Sequence, residues 1–214
     1  MRSGARVDPE EIIITSGALE ALNLSLQILT RPDDIVAVES PAFYGCLQAI
    51  GALRLRALEI PSHPQHGLDI GAFKQALARH PIRVCWFMSN FQNPCGALMP
   101  DGNKRELVEL LNKHDIPIIE DDVYAELFFG RHRPKPLNAF DRKGLVLNSA
   151  PTSVLILSRQ VSEHIHHGVH PADVNARVVV TAALAFREMK AMTGVEIAGA
   201  GATQMNRCRQ VLLL

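Results

Sequence analysis

Three short polar segments carry the residue types that chemistry needs. Thr15-Ser16-Gly17-Ala18 is a small-residue turn in front of a helical period. Exposed backbone N–H groups and the positive end of a helix dipole suit such a turn to a phosphate; the same residues also make a plain helix cap. Asn93-Pro94-Cys95-Gly96 is a turn after an apolar run, where an Asn side chain either binds its own backbone or reaches outward. Glu120-Asp121-Asp122-Val123-Tyr124 also follows an apolar run. Carboxylates there need a cation, a metal or solvent, and Asp121 and Tyr124 are close enough in sequence to address one ligand from a single turn. The histidines His164, His166, His167 and His170 could offer metal nitrogens, but they lack a helix-spaced pair beside a carboxylate and read as a solvated loop. No metal is expected. Cys46, Cys85, Cys95 and Cys208 lie far apart without a CxxC pair, which excludes a zinc ribbon or disulfide framework and fits a reducing compartment. The stretch 194–201 meets neither a P-loop nor a dinucleotide pattern.

The elements that must position these residues alternate between β-branched runs and helical periods. Strands are predicted over 12–15, 35–39, 53–60, 84–89 and 116–119, with another starting at 145. Helices are predicted over 18–29, with Leu19, Leu22, Leu26 and Leu29 on one stripe, then from Phe43 to Gly51, over 68–78, and over 103–114 with Leu107, Leu110 and Leu111 inward. Loops are read at 61–67 and 130–138. This rhythm predicts an α/β fold, three-layered α/β/α with a mainly parallel sheet. All three polar segments fall at or just past strand ends, where open parallel sheets bind ligands. Beyond Ser149 the rhythm degrades: 154–157 and 178–181 are candidate strands and 181–192 a candidate helix.

Composition narrows the function classes. The 214 residues are 47% hydrophobic and 21% charged, the profile of a folded globular chain. A chain of this length closes a core without disulfide or metal staples. Lys+Arg 22 against Asp+Glu 22 leaves no electrostatic footprint of a dedicated nucleic-acid binder. No apolar run is long enough to span a bilayer and residues 1–11 lack an apolar signal core, so the expectation is a cytoplasmic protein off the membrane.

Taken in order, four segments resemble the large domain of the fold type I pyridoxal-phosphate-dependent aminotransferases. The run Ile12-Ile13-Ile14-Thr15-Ser16-Gly17-Ala18-Leu19-Glu20-Ala21-Leu22 is most similar to the aminotransferase-like domain of MocR-type regulators and their class I relatives. Glu39-Ser40-Pro41-Ala42-Phe43-Tyr44-Gly45 resembles the segment with the ring-stacking aromatic. Asn93-Pro94-Cys95-Gly96 resembles the family's Asn-Pro-Thr-Gly turn, with Cys95 in place of Thr, and Asp121 to Tyr124 match its Asp-x-x-Tyr element. The resemblance implies pyridoxal 5'-phosphate as cofactor. It implies phosphate contacts from the Gly17 and Ala18 amides, stacking by Phe43 with Tyr44 as the neighbouring substitute, phenolate contacts from Asn93 and Tyr124, and a ring-nitrogen ion pair from Asp121. It also implies amino acid and 2-oxo acid substrates and a homodimer.

The family's Schiff-base lysine stands in a Ser-x-Ser-Lys context after the aspartate. The corresponding window, Val146 to Arg159, holds no lysine, and none occurs between Lys143 and Lys190. No catalytic lysine is therefore assigned, and the chain is expected to bind the cofactor without catalysing transamination. Residues 1–149 are read as a partial large domain and 150–214 as a tail outside the family, with a reading-frame shift near codon 148 as its expected origin. Two parentages stay open: an aminotransferase, or the effector-sensing domain of a MocR-type regulator without its DNA-binding module, with no nucleic acid bound by this chain alone.

Overall fold

The computed structural model describes residues 12–150 and the strand 154–156. The candidate strand at 178–181, the candidate helix at 181–192, the His164–His170 cluster, Cys208 and the stretch 194–201 lie outside the described residues. One mixed sheet organises the fold: β1 (Ile12–Ile14), β2 (Ile35–Ser40), β3 (Arg56–His63), β4 (Gly67–Leu68), β5 (Ile82–Phe87), β6 (Ile118–Asp121), β7 (Val146–Ala150) and β8 (Val154–Ile156). Their spatial order is β1-β8-β7-β6-β5-β2-β3-β4. The strands β3, β2, β5, β6 and β7 run parallel, while β8 is antiparallel to both β7 and β1. Two reversals restore direction, so β1 ends at the same edge as β7.

Among the described residues four α-helices cover the sheet: α1 (Ala18–Leu29), α2 (Tyr44–Ala52), α3 (Ile70–Arg79) and α4 (Asp101–His114). Strand alternation divides the core between two faces. Ile35, Ala37, Cys85, Phe87 and Ile118 pack with Phe73, Leu107, Val108 and Leu111 of α3 and α4. The alternate positions Val36, Val38, Val84, Trp86 and Ile119 are equally buried and face the α1 and α2 side. The three-layer architecture read from the sequence is the one present.

Several boundaries differ for physical reasons. In α1 the buried residues are Ala21, Leu22, Ser25, Leu26, Ile28 and Leu29, and Leu19 in the first turn is 48% exposed. Phe43 is the N-cap of α2 rather than a helical residue, and Leu47 is largely outward. The strand read over 53–60 is shifted to Arg56–His63 and carries Pro61 at its end. That proline is tolerated because β4 pairs only with Ser62 and His63, and the carbonyl of Pro61 still accepts the Asp69 amide at 2.9 Å. Helix α4 starts two residues earlier than its apolar period, at Asp101, whose carboxylate suits the helix N-terminus.

Candidate functional site

The chain leaves β2 toward β3 on one side and returns to β5 on the other, which makes the β2/β5 gap the switch point of the sheet. Ligands of open α/β sheets sit outside the carboxyl ends of the strands at such a point. The residues found there are Glu39 at the end of β2, Met88 to Gln92 after β5, and Asp121 at the end of β6.

Asp121 is 2% exposed, and its Oδ1 makes no hydrogen bond. Burial pushes its carboxyl up to about 6; N–H bonds from the Trp86 side chain and the Val123 backbone pull it down, and the neighbouring Glu120 charge pushes it up again. Three residues on, the Tyr124 hydroxyl lies 3.4 Å from Asn93 Nδ2, which joins the β5–α4 turn to the segment after β6. Asn93 and Tyr124 thus meet directly, and Asp121 stands on the same short segment as Tyr124.

The Phe43 ring is folded over the first turn of α2, where a Cβ on Gly45 would come within 2.6 Å of its Cε1. The glycine after Phe43-Tyr44 is therefore a seat for the ring. Tyr44 meets Phe43 edge-on at 4.9 Å between centroids and is 70% exposed. The loop that carries Phe43 is fastened across the switch point: Gln92 Nε2 donates to Pro41 O at 2.7 Å and to Asn93 O at 3.0 Å.

Gly17 is the N-cap of α1, with φ 142°, and no heavy atom lies within 4 Å of the place a Cβ would take. A side chain there would meet backbone strain rather than crowding. The Thr15 hydroxyl donates to Gly17 O at 3.0 Å, and the Glu20 carboxylate accepts the Ser16 amide, so the turn is internally braced. Gly17 and Ala18 reach the rest of the set through topology, since β1 ends at the same edge as β7 and α1 packs on β6 and β7.

Sequence reasoning missed four participants. Glu39 is 3% exposed; its Oε2 accepts the Met88 amide at 2.8 Å while Oε1 has no partner. Burial raises its carboxyl to about 8, with the Asp121 charge adding to the rise. Cys46 of α2 feels both carboxylates, and its thiol is pushed well up, mainly by burial. Trp86 and Gln92 complete the group. Glu39 and Gln92 left a faint signal as charged or amide residues at strand ends; Trp86 and Cys46 left none, being ordinary core types. A second polar cluster lies against this one. Lys104 is fully buried in α4 and donates to Asn90 Oδ1 and to Lys135 O, Asn90 donates to Asp122 Oδ1 at 2.7 Å, and Arg133 reaches Asp122 Oδ2 at 3.3 Å.

Comparison with known proteins agrees with this fold. Residues 2–159 match the family aminotransferase class I and II. Among curated proteins the chain is 49% identical over 150 residues to an HTH-type transcriptional regulator, YdcR of Escherichia coli, covering 70% of this chain and 32% of that protein. It is 33% identical over 127 residues to 2-aminoadipate transaminase of Thermus thermophilus, covering 59% and 32%. The chain thus spans about a third of the length of these relatives. Two solved structures share the fold. One is the α-aminoadipate aminotransferase LysN of Thermus thermophilus, at TM-score 0.68 and 24% identity, covering 97% of this chain and 53% of that one. The other is the kynurenine aminotransferase of Pyrococcus horikoshii, at TM-score 0.69 and 22% identity, covering 99% and 53%.

Proposed function

The chain belongs to the class I and II aminotransferases, and from that premise we propose that its switch point is a pyridoxal 5'-phosphate site holding the cofactor without a covalent tether. The observation that carries this reading is the buried, unpartnered Oδ1 of Asp121 beside the Asn93–Tyr124 pair. A pyridinium N–H satisfies that oxygen, an exposed ring face suits Phe43, a phenolate oxygen suits the Asn93 amide and Tyr124 hydroxyl, and a phosphate suits the Gly17 and Ala18 amides. When bound, the cofactor supplies an electron sink for bonds at an amino acid's α-carbon.

This chain's residues do the binding part of that task. Asp121 Oδ1 would accept a hydrogen bond from the ring N–H, and the carboxylate charge would keep that proton on the nitrogen. Phe43, seated on Gly45, excludes water from one ring face. The amine that would form the covalent link is missing from the window 146–159. The buried lysine among the described residues, Lys104, is committed to Asn90 and Lys135 O, and burial lowers its ammonium from the ordinary value. Amino acid and 2-oxo acid ligands, a homodimer and a cytoplasmic setting for the free thiols Cys46, Cys85 and Cys95 belong to the same proposal. No helix among the described residues is long and apolar enough to cross a membrane.

A second reading, an effector-sensing domain of a transcriptional regulator, is favoured by the 49% and 41% identities to the HTH-type regulators YdcR and YjiR of Escherichia coli. Both readings use the same set of residues. The test is titration of the purified chain with pyridoxal 5'-phosphate, following the ring absorbance and equilibrium dialysis. Saturable binding that is fully lost on extended dialysis is expected. No binding overturns the site, and a visible band that survives gel filtration and is bleached by borohydride overturns the absence of a tether.

A further inference from the structure

The amide of Gln92 is used on every side. It is 1% exposed, donates from Nε2 to both Pro41 O (2.7 Å) and Asn93 O (3.0 Å), and accepts the Cys95 amide on Oε1 at 2.9 Å. Its own backbone N–H goes to Ala97 O at 2.9 Å. Pro41 stands two residues before Phe43, and Asn93 is the neighbour that meets Tyr124. One side chain therefore spans the switch point and grips the two loops that carry the stacking ring and the phenolate pair.

We propose that Gln92 is a positioning residue that couples Phe43 to Asn93, so that the ring-stacking wall and the phenolate contacts are set as one unit. The inference rests on the cofactor reading above and names the device that orders its two loops before any ligand arrives. Side-chain chemistry restricts the choice at this position. Two carbonyls must be served by donors and one N–H by an acceptor, from a single planar group in a dry site. An ionised Glu has no donor, Lys and Arg have no acceptor, and an apolar residue leaves Pro41 O, Asn93 O and the Cys95 N–H without their partner. Preorganisation of this kind tightens binding by removing loop ordering from its cost.

Gln92→Glu and Gln92→Met separate the possibilities. The glutamate keeps the acceptor for the Cys95 amide and loses both donated bonds; the methionine loses all three. In the cofactor-free 214-residue chain, amide hydrogen exchange should quicken at residues 42–47 and 93–97 together in Gln92→Glu, beyond any change at residues 107–111 of α4, with the far-UV spectrum retained and the unfolding midpoint lowered. Pyridoxal 5'-phosphate should bind about tenfold more weakly, with a smaller induced circular dichroism of the bound ring. Gln92→Met should show the same changes, larger. Exchange that stays unchanged or quickens at only one of the two loops overturns the coupling. Cofactor affinity and induced dichroism that match the unsubstituted chain overturn the positioning role. Failure of the unsubstituted chain to bind the cofactor overturns the underlying site instead, and is recognised before either variant is compared.

Discussion

Glu120 and Asp121 are adjacent on β6 and equally buried, yet their surroundings are opposite. Glu120 Oε1 accepts from Ser89 Oγ at 2.6 Å and from the Leu137 amide at 2.7 Å, and Oε2 accepts from Asn148 at 2.8 Å. Lys104, Asn90 and Asp122 continue that cluster on the α4 side, and Arg133 joins it through Asp122 while its own Nη1 makes no hydrogen bond. Asp121, one residue on and so on the other side of the sheet, keeps a bare oxygen beside Glu39, whose Oε1 is also bare. Polar groups sealed in a core find protein partners because an unpaired one costs free energy. The carboxylate of Glu120 is thus held by protein on both oxygens, whereas the bare oxygens of Asp121 and Glu39 are what support the ligand site proposed above.

The sharpest way to break that contrast is to open the closed side. Lys104→Met removes the cation from a fully buried network, leaving Asn90 Oδ1 and Lys135 O without their donor. It should lower unfolding free energy by about 3 kcal/mol, read from the urea midpoint. A loss below about 1 kcal/mol would mean that the cluster holds little of the fold together. Asp121→Asn tests the other side: stability should stay within about 1 kcal/mol or rise, while cofactor affinity falls at least about tenfold. Equal cofactor affinity in the two proteins would end the distinction between the clusters.

A pH-dependent effect concerns Glu39. Its folded carboxyl lies at about 8, against 4.5 for the ordinary side chain, so the folded state holds this proton more tightly than the unfolded one. Stability from this group is full below pH 4.5 and is lost as pH rises toward 8, by up to about 1.4 kcal/mol per pH unit. Glu39→Gln should flatten that window and be the more stable protein at its upper end, measured by thermal unfolding across pH. A parallel decline in both proteins would assign the pH dependence to other groups, Asp121 and Asp122 first.

What the sequence made legible follows from what repeats. Apolar runs between helical periods announced α1, β2, β5 and β6, and with them the strand-end positions of Asp121, Asn93 and Gly17. The two-residue β4 was not legible, because a strand that short has no period of its own and forms only against Ser62 and His63. Lys104 was hidden for a different reason: a lysine in a polar-faced helix looks solvated, and only the packing of α4 on the sheet turns it inward. Trp86 looks ordinary in sequence and Gln92 gives only a faint signal, since their partners lie about 35 and 51 residues away. The Cys46 and Phe43 environments are likewise products of the sheet's reversal at β2/β5 and not of local pattern.

The glycine turn at the start of the described chain follows a strand whose partner is β8, Ile12 opposite Ile156. Until residue 156 has been synthesised and has folded back, β1 has no strand partner, and the turn is held only through the packing of α1 on β6 and β7. A ribosome-bound chain halted before β8 would therefore hold the Asp121 and Asn93–Tyr124 segments while the strand that leads into the glycine turn still lacks its partner.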